Sequence, residues 1–232
     1  MKQIALDIGL AAGPGLSNYF AGPNEAALSH LQLWVGDSHT AQHRSPVPLY
    51  LWGPSASGKS HLLKAVVQAL QEQGSQVGWL DANSPPDQSF NPAWAAVVMD
   101  DVHLYATAQQ HTAFNWFVNA STPTTGEPRP VLAAGNVPPA QLHLREDLRT
   151  RLGWGHVFAL QVLQETERRA VLRQAADARG VFLSDEVMDF MLKRFSRDLG
   201  SLMQLLDALD VYALQTQRAI TIPLLKSMLE DI

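Results

Sequence analysis

The chain contains no cysteine. That removes disulfides, zinc–thiolate sites, iron–sulfur clusters and thiol nucleophiles together, and it fits a reducing compartment. Basic charge is also scarce. There are 17 Lys and Arg against 22 Asp and Glu, a net charge of −5 and a pI near 5.9. A protein that grips DNA through its own surface usually shows a basic patch. Residues 145–232 hold 12 basic and 13 acidic side chains, and residues 1–144 hold 5 and 9, so neither part is a basic module. No apolar run approaches the roughly 20 residues that span a bilayer. The N-terminal stretch Met1-Lys2-Gln3-Ile4-Ala5-Leu6-Asp7 lacks the long apolar core of a secretory signal. The expectation is a soluble cytoplasmic protein without membrane contact.

What is present is an ordinary globular composition, 46% hydrophobic and 17% charged over 232 residues. That allows one large domain or two small ones. Residues 1–17 read as a loose arm, broken by Gly13-Pro14-Gly15. Helical spacing of Ala27, Leu28, Leu31, Trp34 and Val35 predicts a helix over 24–35. Short apolar runs bounded by turn residues predict strands at 47–52, 76–80, 95–99, 130–134 and 156–160. Helical patterns lie between them at 60–73 and 109–119. Strands alternating with helices predict a parallel α/β sheet, here spanning 18–161. After residue 162 the strand signal stops. Helices are expected at 165–178, 184–194, 197–215 and 223–230, with N-terminal signals at Ser184 and at Thr221-Ile222-Pro223. An all-helical second domain over 162–232 is therefore expected.

Gly53-Pro54-Ser55-Ala56-Ser57-Gly58-Lys59-Ser60 matches G-x-x-x-x-G-K-[ST] in full, after a predicted strand and before a predicted helix. Small residues let the backbone wrap so that its N–H groups face phosphates, and the helix N-terminus favours negative charge. Lys59 can reach the β and γ phosphates, and the Ser60 hydroxyl can ligate Mg²⁺. Asp100 and Asp101 end the run Ala95–Met99, at the strand mouth where ligands bind. Asp100 suits Mg²⁺ support, and Asp101 stands where a carboxylate can polarise an attacking water. Asn136 follows the fourth strand. It can sense a γ phosphate or hold a water, and Gly135-Asn136 is equally a common turn. Arg145, Arg149 and Arg151 cluster before Gly153-Trp154-Gly155, a pattern that also reads as a solvated helix face. Trp116 and Trp154 are expected in the core.

Lys59-Ser60-His61-Leu62-Leu63, Asp100-Asp101-Val102-His103 and Arg149-Thr150-Arg151-Leu152-Gly153-Trp154-Gly155 together resemble the AAA+ module of the DnaA family of bacterial replication initiators. The resemblance covers about residues 17–232. It implies a P-loop AAA+ sheet domain followed by a small helical lid. Asn18-Tyr19-Phe20-Ala21-Gly22-Pro23-Asn24 is similar to the family's stretch near the adenine. The implied cofactor set is therefore Tyr19, Phe20, Gly53 to Ser60, His61, Asp100 and Arg197, holding ADP or ATP with Mg²⁺ at Ser60 and Asp100. By motif position Asn136 becomes sensor 1, Arg197 sensor 2 and Arg151 an arginine finger, with Arg149 the fallback and Asp147 one turn earlier.

No counterpart of the initiators' helix-turn-helix domain is expected, and DNA contact is expected to be indirect. In this the chain is most similar to the regulatory inactivators of DnaA, the Hda type, through the tail Ala219–Lys226 and the run 180–194. Gln3, Ile4, Leu6 and Ile8 are similar to the short peptide by which that type binds the β sliding clamp. The resemblance implies a negative regulator of initiation. It would sit on the DNA-loaded clamp, associate with itself as a dimer, and stimulate hydrolysis of DnaA-bound ATP through Arg151. Three alternatives remain open from sequence: an autonomous ATPase such as a helicase loader or remodelling subunit, a DNA-binding initiator fragment, and a non-catalytic nucleotide-gated scaffold.

Overall fold

The computed structural model describes residues 14–36, 44–194 and 199–230. Pro14–Val162 form one compact unit and Leu163–Ile232 belong to another.

The first unit is built on five parallel strands: β1 (Leu49–Trp52), β2 (Gln76–Leu80), β3 (Trp94–Met99), β4 (Val131–Gly135) and β5 (His156–Ala159). Their spatial order is β2-β3-β4-β1-β5. The helices of this unit are α1 (Glu25–Val35), α2 (Lys59–Glu72), α3 (Thr107–Ser121) and α4 (Glu146–Leu152). Successive side chains on a strand point to opposite faces, and the cores follow that rule. Leu49, Leu51, Ala96, Val98, Leu132 and Ala134 pack with α1 and α2 on one face. Tyr50, Val97, Met99, Val131 and Ala133 pack with α3 and α4 on the other. Both faces of the central strands β1, β3 and β4 are covered, which is why those strands read as unbroken apolar runs.

All five expected strands form, with ends shifted by a residue or two. Val47 and Pro48 fall outside β1, where the Pro48 carbonyl accepts a hydrogen bond from the His156 N–H at 2.9 Å. From sequence, helix α4 reads only as a helix face carrying Arg145, Arg149 and Arg151, without bounds. It has seven residues and buries only Leu148 and Leu152, too little for a periodic signal. Trp116 is buried as expected, 1% exposed, with its indole N–H donating to the Gln88 carbonyl. Trp154 is not. It is 61% exposed, so its expected place in the core is corrected.

The second unit contains α5 (Glu165–Ala178), α6 (Asp185–Arg194), α7 (Leu199–Thr216) and α8 (Ile222–Glu230). Leu172, Met188, Met191, Leu202, Leu206, Leu209 and Leu225 form its separate core. The expected start signals are used. Ser184 Oγ accepts from the Val187 N–H, and Thr221 Oγ1 from the Leu224 N–H, each satisfying a helix-end donor. Arg179 Nε donates to Asp207 at 2.9 Å, tying the end of α5 to α7.

Candidate nucleotide-binding site

The strand order fixes where a ligand can sit. The chain leaves β1 for the far edge at β2, returns through β3 and β4, and ends at β5 on the other side of β1. That reversal opens a crevice beyond the C-terminal ends of the central strands. Trp52 pairs with Gly135 and Met99 with Ala133, so Gly53, Asn136 and Asp100 emerge at one end of the sheet.

The loop after β1 is shaped for close backbone approach. Gly58 caps α2 with φ of 91°, and a Cβ there would lie 2.8 Å from the Tyr19 ring. Both facts require glycine. Ala56 also has a positive φ, 64°, where only a small side chain is easily accommodated. Ser57 is buried, while Pro54, Ser55 and Ala56 face solvent. Lys59 is buried and its Nζ donates to the Gly53 and Pro54 carbonyls, both at 2.9 Å. Burial lowers its pKa, and the charges of Asp101 and Asp100 oppose that shift.

Asp100 is 5% exposed and accepts a hydrogen bond from the Asp101 N–H at 2.9 Å. Burial raises its pKa, and a hydrogen bond with the Ser60 side chain acts the other way. Ser60 and Asp100, the two expected Mg²⁺ residues, are thus in contact. Asp101 adopts φ of 48° and lies 4.0 Å from His103 Nδ1. His103 is a neighbour that the sequence reading did not assign. Its pKa is lowered by burial, with Asp101 opposing. Asn136 is exposed directly after β4.

Tyr19 closes the other side of the loop. Its hydroxyl donates to the Ser57 carbonyl at 3.4 Å, and its ring lies 5.5 Å from that of His61. Phe20 is half-buried beside it in sequence. Ser57 Oγ and His61 Nε2 are buried here without a hydrogen-bond partner. Two orphaned polar atoms beside a glycine-shaped backbone cradle fit a polyphosphate ligand, since buried polar groups are otherwise satisfied. Among the described residues no group of three His, Asp or Glu forms a metal cluster. A cation here would depend on Ser60, Asp100 and the phosphates it accompanies.

Arg151 sits elsewhere. It lies on α4, on the sheet face opposite α2, with its guanidinium 5.2 Å from the Phe114 ring and 4.8 Å from the Trp154 ring. Arg145 stacks on the same Phe114 at 4.6 Å and holds Asp147 through two hydrogen bonds of 2.6 and 2.7 Å. That contact holds the Asp147 carboxyl below its ordinary range. Arg151 Nε is buried with no hydrogen-bond partner. Arg149 is half-buried on the same helix. Neither Phe114 nor His111, which lies 2.6 Å from Arg145, was singled out from sequence. Gln3, Ile4, Leu6, Ile8 and Arg197 lie outside the described residues.

Comparison with known proteins agrees with this architecture. Residues 165–229 match the family model described as Hda, lid domain. The chain is similar to domain III of the Thermotoga maritima replication initiation protein DnaA, with a TM-score of 0.71 at 20% identity, covering 94% of this chain and 96% of that one. AMPPCP-bound DnaA from Aquifex aeolicus gives 0.63 at 16% identity, over 85% of this chain and 65% of that one. This chain thus spans about two-thirds of that longer initiator. The Thermotoga maritima RuvB branch migration motor gives 0.61 at 15% identity, over 89% and 68%.

The parallel sheet, its G-x-x-x-x-G-K-S loop and the helical unit that follows give the chain a P-loop α/β fold similar to that of domain III of DnaA. Within the helical unit, residues 165–229 are similar to the lid domain of the Hda family.

Proposed function

We propose that this chain is a nucleotide-bound negative regulator of replication initiation that stimulates hydrolysis of DnaA-bound ATP. The observation that carries the reading is the placement of Arg151. From α4 its guanidinium is held by the rings of Phe114 on α3 and Trp154 just past α4, away from the face that its own phosphate-loop helix covers, with Nε unsatisfied. An arginine presented in this way suits a phosphate held by another molecule. Its planar donors can bridge two oxygens as charge develops on the transferring phosphoryl group.

The chain's own nucleotide, ADP or ATP with Mg²⁺, supplies negative charge and hydrogen-bond acceptors that the loop is shaped to receive. Backbone N–H groups of 55–60, Lys59 Nζ and His61 would hold the phosphates, Ser60 and Asp100 the cation, and Tyr19 and Phe20 the nucleoside end. Arg197 and Asn136 complete the proposed set as sensors. The proposed organisation is an N-terminal arm over 1–17, an AAA+ domain over 18–161 and a lid over 162–232. Gln3, Ile4, Leu6 and Ile8 would bind the sliding clamp, which ties the activity to DNA already being copied without direct DNA contact. Self-association as a dimer and a cytoplasmic location belong to the same reading. Among the described residues, no helix is long and apolar enough to cross a membrane.

One observation favours a second reading, an autonomous ATPase. Asp101 stands at the strand mouth, its charge felt by Lys59 and its side chain 42% exposed. Single-turnover hydrolysis of ATP preloaded on DnaA separates the two, with this chain, clamp and DNA omitted in turn. The expected outcome is hydrolysis that rises only when chain and loaded clamp are both present. Equal turnover by the chain alone, with no effect on DnaA, would establish the second reading instead.

A further inference from the structure

Two flanks press on the phosphate loop, and one buried side chain joins them. On one flank Tyr19 lies against Gly58 and its hydroxyl donates to the Ser57 carbonyl. On the other flank the Leu160 carbonyl, just past β5, would stand only 2.3 Å from a Cβ at Gly53. Asn24 is 3% exposed and connects the two. Its Nδ2 donates to the Tyr19 hydroxyl at 3.2 Å and to the Gln161 carbonyl at 3.0 Å, while its Oδ1 accepts from the Gln161 N–H at 2.8 Å. The amide thus pairs with both backbone groups of Gln161, as a strand neighbour would, and spends its second donor on Tyr19. Gln161 lies two residues before the helical unit begins at Leu163.

The geometry points to Asn24 as a positioning residue that links the phosphate loop to the segment leading out of the α/β unit. A buried amide with three satisfied bonds cannot move with one partner and leave the others unpaired without cost. A ligand that reorders Ser57 and Gly58 therefore acts on Tyr19, through Tyr19 on Asn24, and through Asn24 on Gln161. The inference rests on the reading that the loop binds nucleotide.

The test is hydrogen–deuterium exchange on the full chain, with and without saturating ADP and Mg²⁺. In the wild type, ADP is expected to slow exchange both at 55–60 and in the peptide covering 159–163. In Asn24→Ala, ADP is expected to bind ~10-fold more weakly, as for loss of buried hydrogen bonds. At saturation it should still protect 55–60 but no longer change 159–163. Asn24→Asp restores an acceptor for the Gln161 N–H and should recover part of the effect. A purely structural role would lower protection equally in both ligand states and leave the ADP-dependent difference intact. Should Asn24→Ala fail to fold, Tyr19→Phe removes only the hydroxyl link and should abolish the ADP effect at 159–163. The proposal is overturned if ADP protects 55–60 in the wild type without affecting 159–163, or if the variants keep the wild-type difference. If ADP protects neither segment, the nucleotide reading itself fails, and the coupling with it.

Discussion

At Gly155 a single hydrogen atom decides how two strands meet. A Cβ there would sit 1.8 Å from the Pro48 carbonyl oxygen, the same atom that accepts from the His156 N–H. The glycine lets β5 reach β1, while Trp154 beside it turns outward onto Arg151. One short segment therefore serves sheet pairing and arginine placement together. Gly155→Ala is expected to cost roughly 1–3 kcal/mol through forced backbone displacement, read as a lower urea midpoint. It should also weaken any Arg151-dependent activity more than nucleotide affinity, because Gly155 meets the start of β1 while the phosphate loop follows its far end. An unchanged midpoint would show that the strand can shift without cost.

Individual elements differ in how legibly the sequence carries them. The central strands β1, β3 and β4 were legible because each is a short apolar run covered on both faces, the edge strands from their bounding turns, and the phosphate loop because its whole pattern is consecutive. Asp100 and Asp101 were legible from their place at the end of such a run. The extent of helix α4 was not, since seven residues with two buried leucines give no period. The role of Asn24 was not, since its partner Gln161 lies 137 residues away. Trp154 misled because aromatic area usually seeks the core, whereas here it covers a guanidinium.

Elements of the helical unit share a core that includes no residue of the sheet's two cores. Leu225 on α8 is fully buried in it. Leu225→Ala is expected to remove about 2–5 kcal/mol from that unit. Far-ultraviolet circular dichroism should then show an early loss of helix, followed by the melt of the α/β unit at its original temperature. A single displaced transition would mean that the two units unfold as one.

For the whole molecule, three histidines of the α/β unit respond alike to pH. His30, His61 and His103 all have pKa values lowered from 6.5, in each case chiefly by burial. His156 adds to the effect at His30 and Lys64 at His61, while a hydrogen bond donated by the His61 ring to the Gly15 backbone opposes it at His61. At His103, Asp101 and Asp100 oppose and Lys59 adds. Below 6.5 the unfolded chain binds protons that the folded chain refuses, so stability rises with pH in that window. The contribution is complete above pH 6.5 and is lost as pH falls through the folded values. Asp100, raised by burial, acts in the opposite sense. Urea midpoints are therefore expected to fall between pH 7.5 and 5.5, and a midpoint that rises would contradict the three-histidine account.

Whether Arg151 acts on a nucleotide held by DnaA is read from hydrolysis on DnaA itself. ATP preloaded on DnaA is followed through a single turnover with loaded clamp and either the wild-type chain or Arg151→Ala, each saturated with ADP. The variant is expected to keep wild-type ADP affinity while stimulation drops by about 10³-fold or to background, the scale of a lost arginine finger. Stimulation by Arg151→Ala at the wild-type rate, with ADP bound normally, would exclude the finger role.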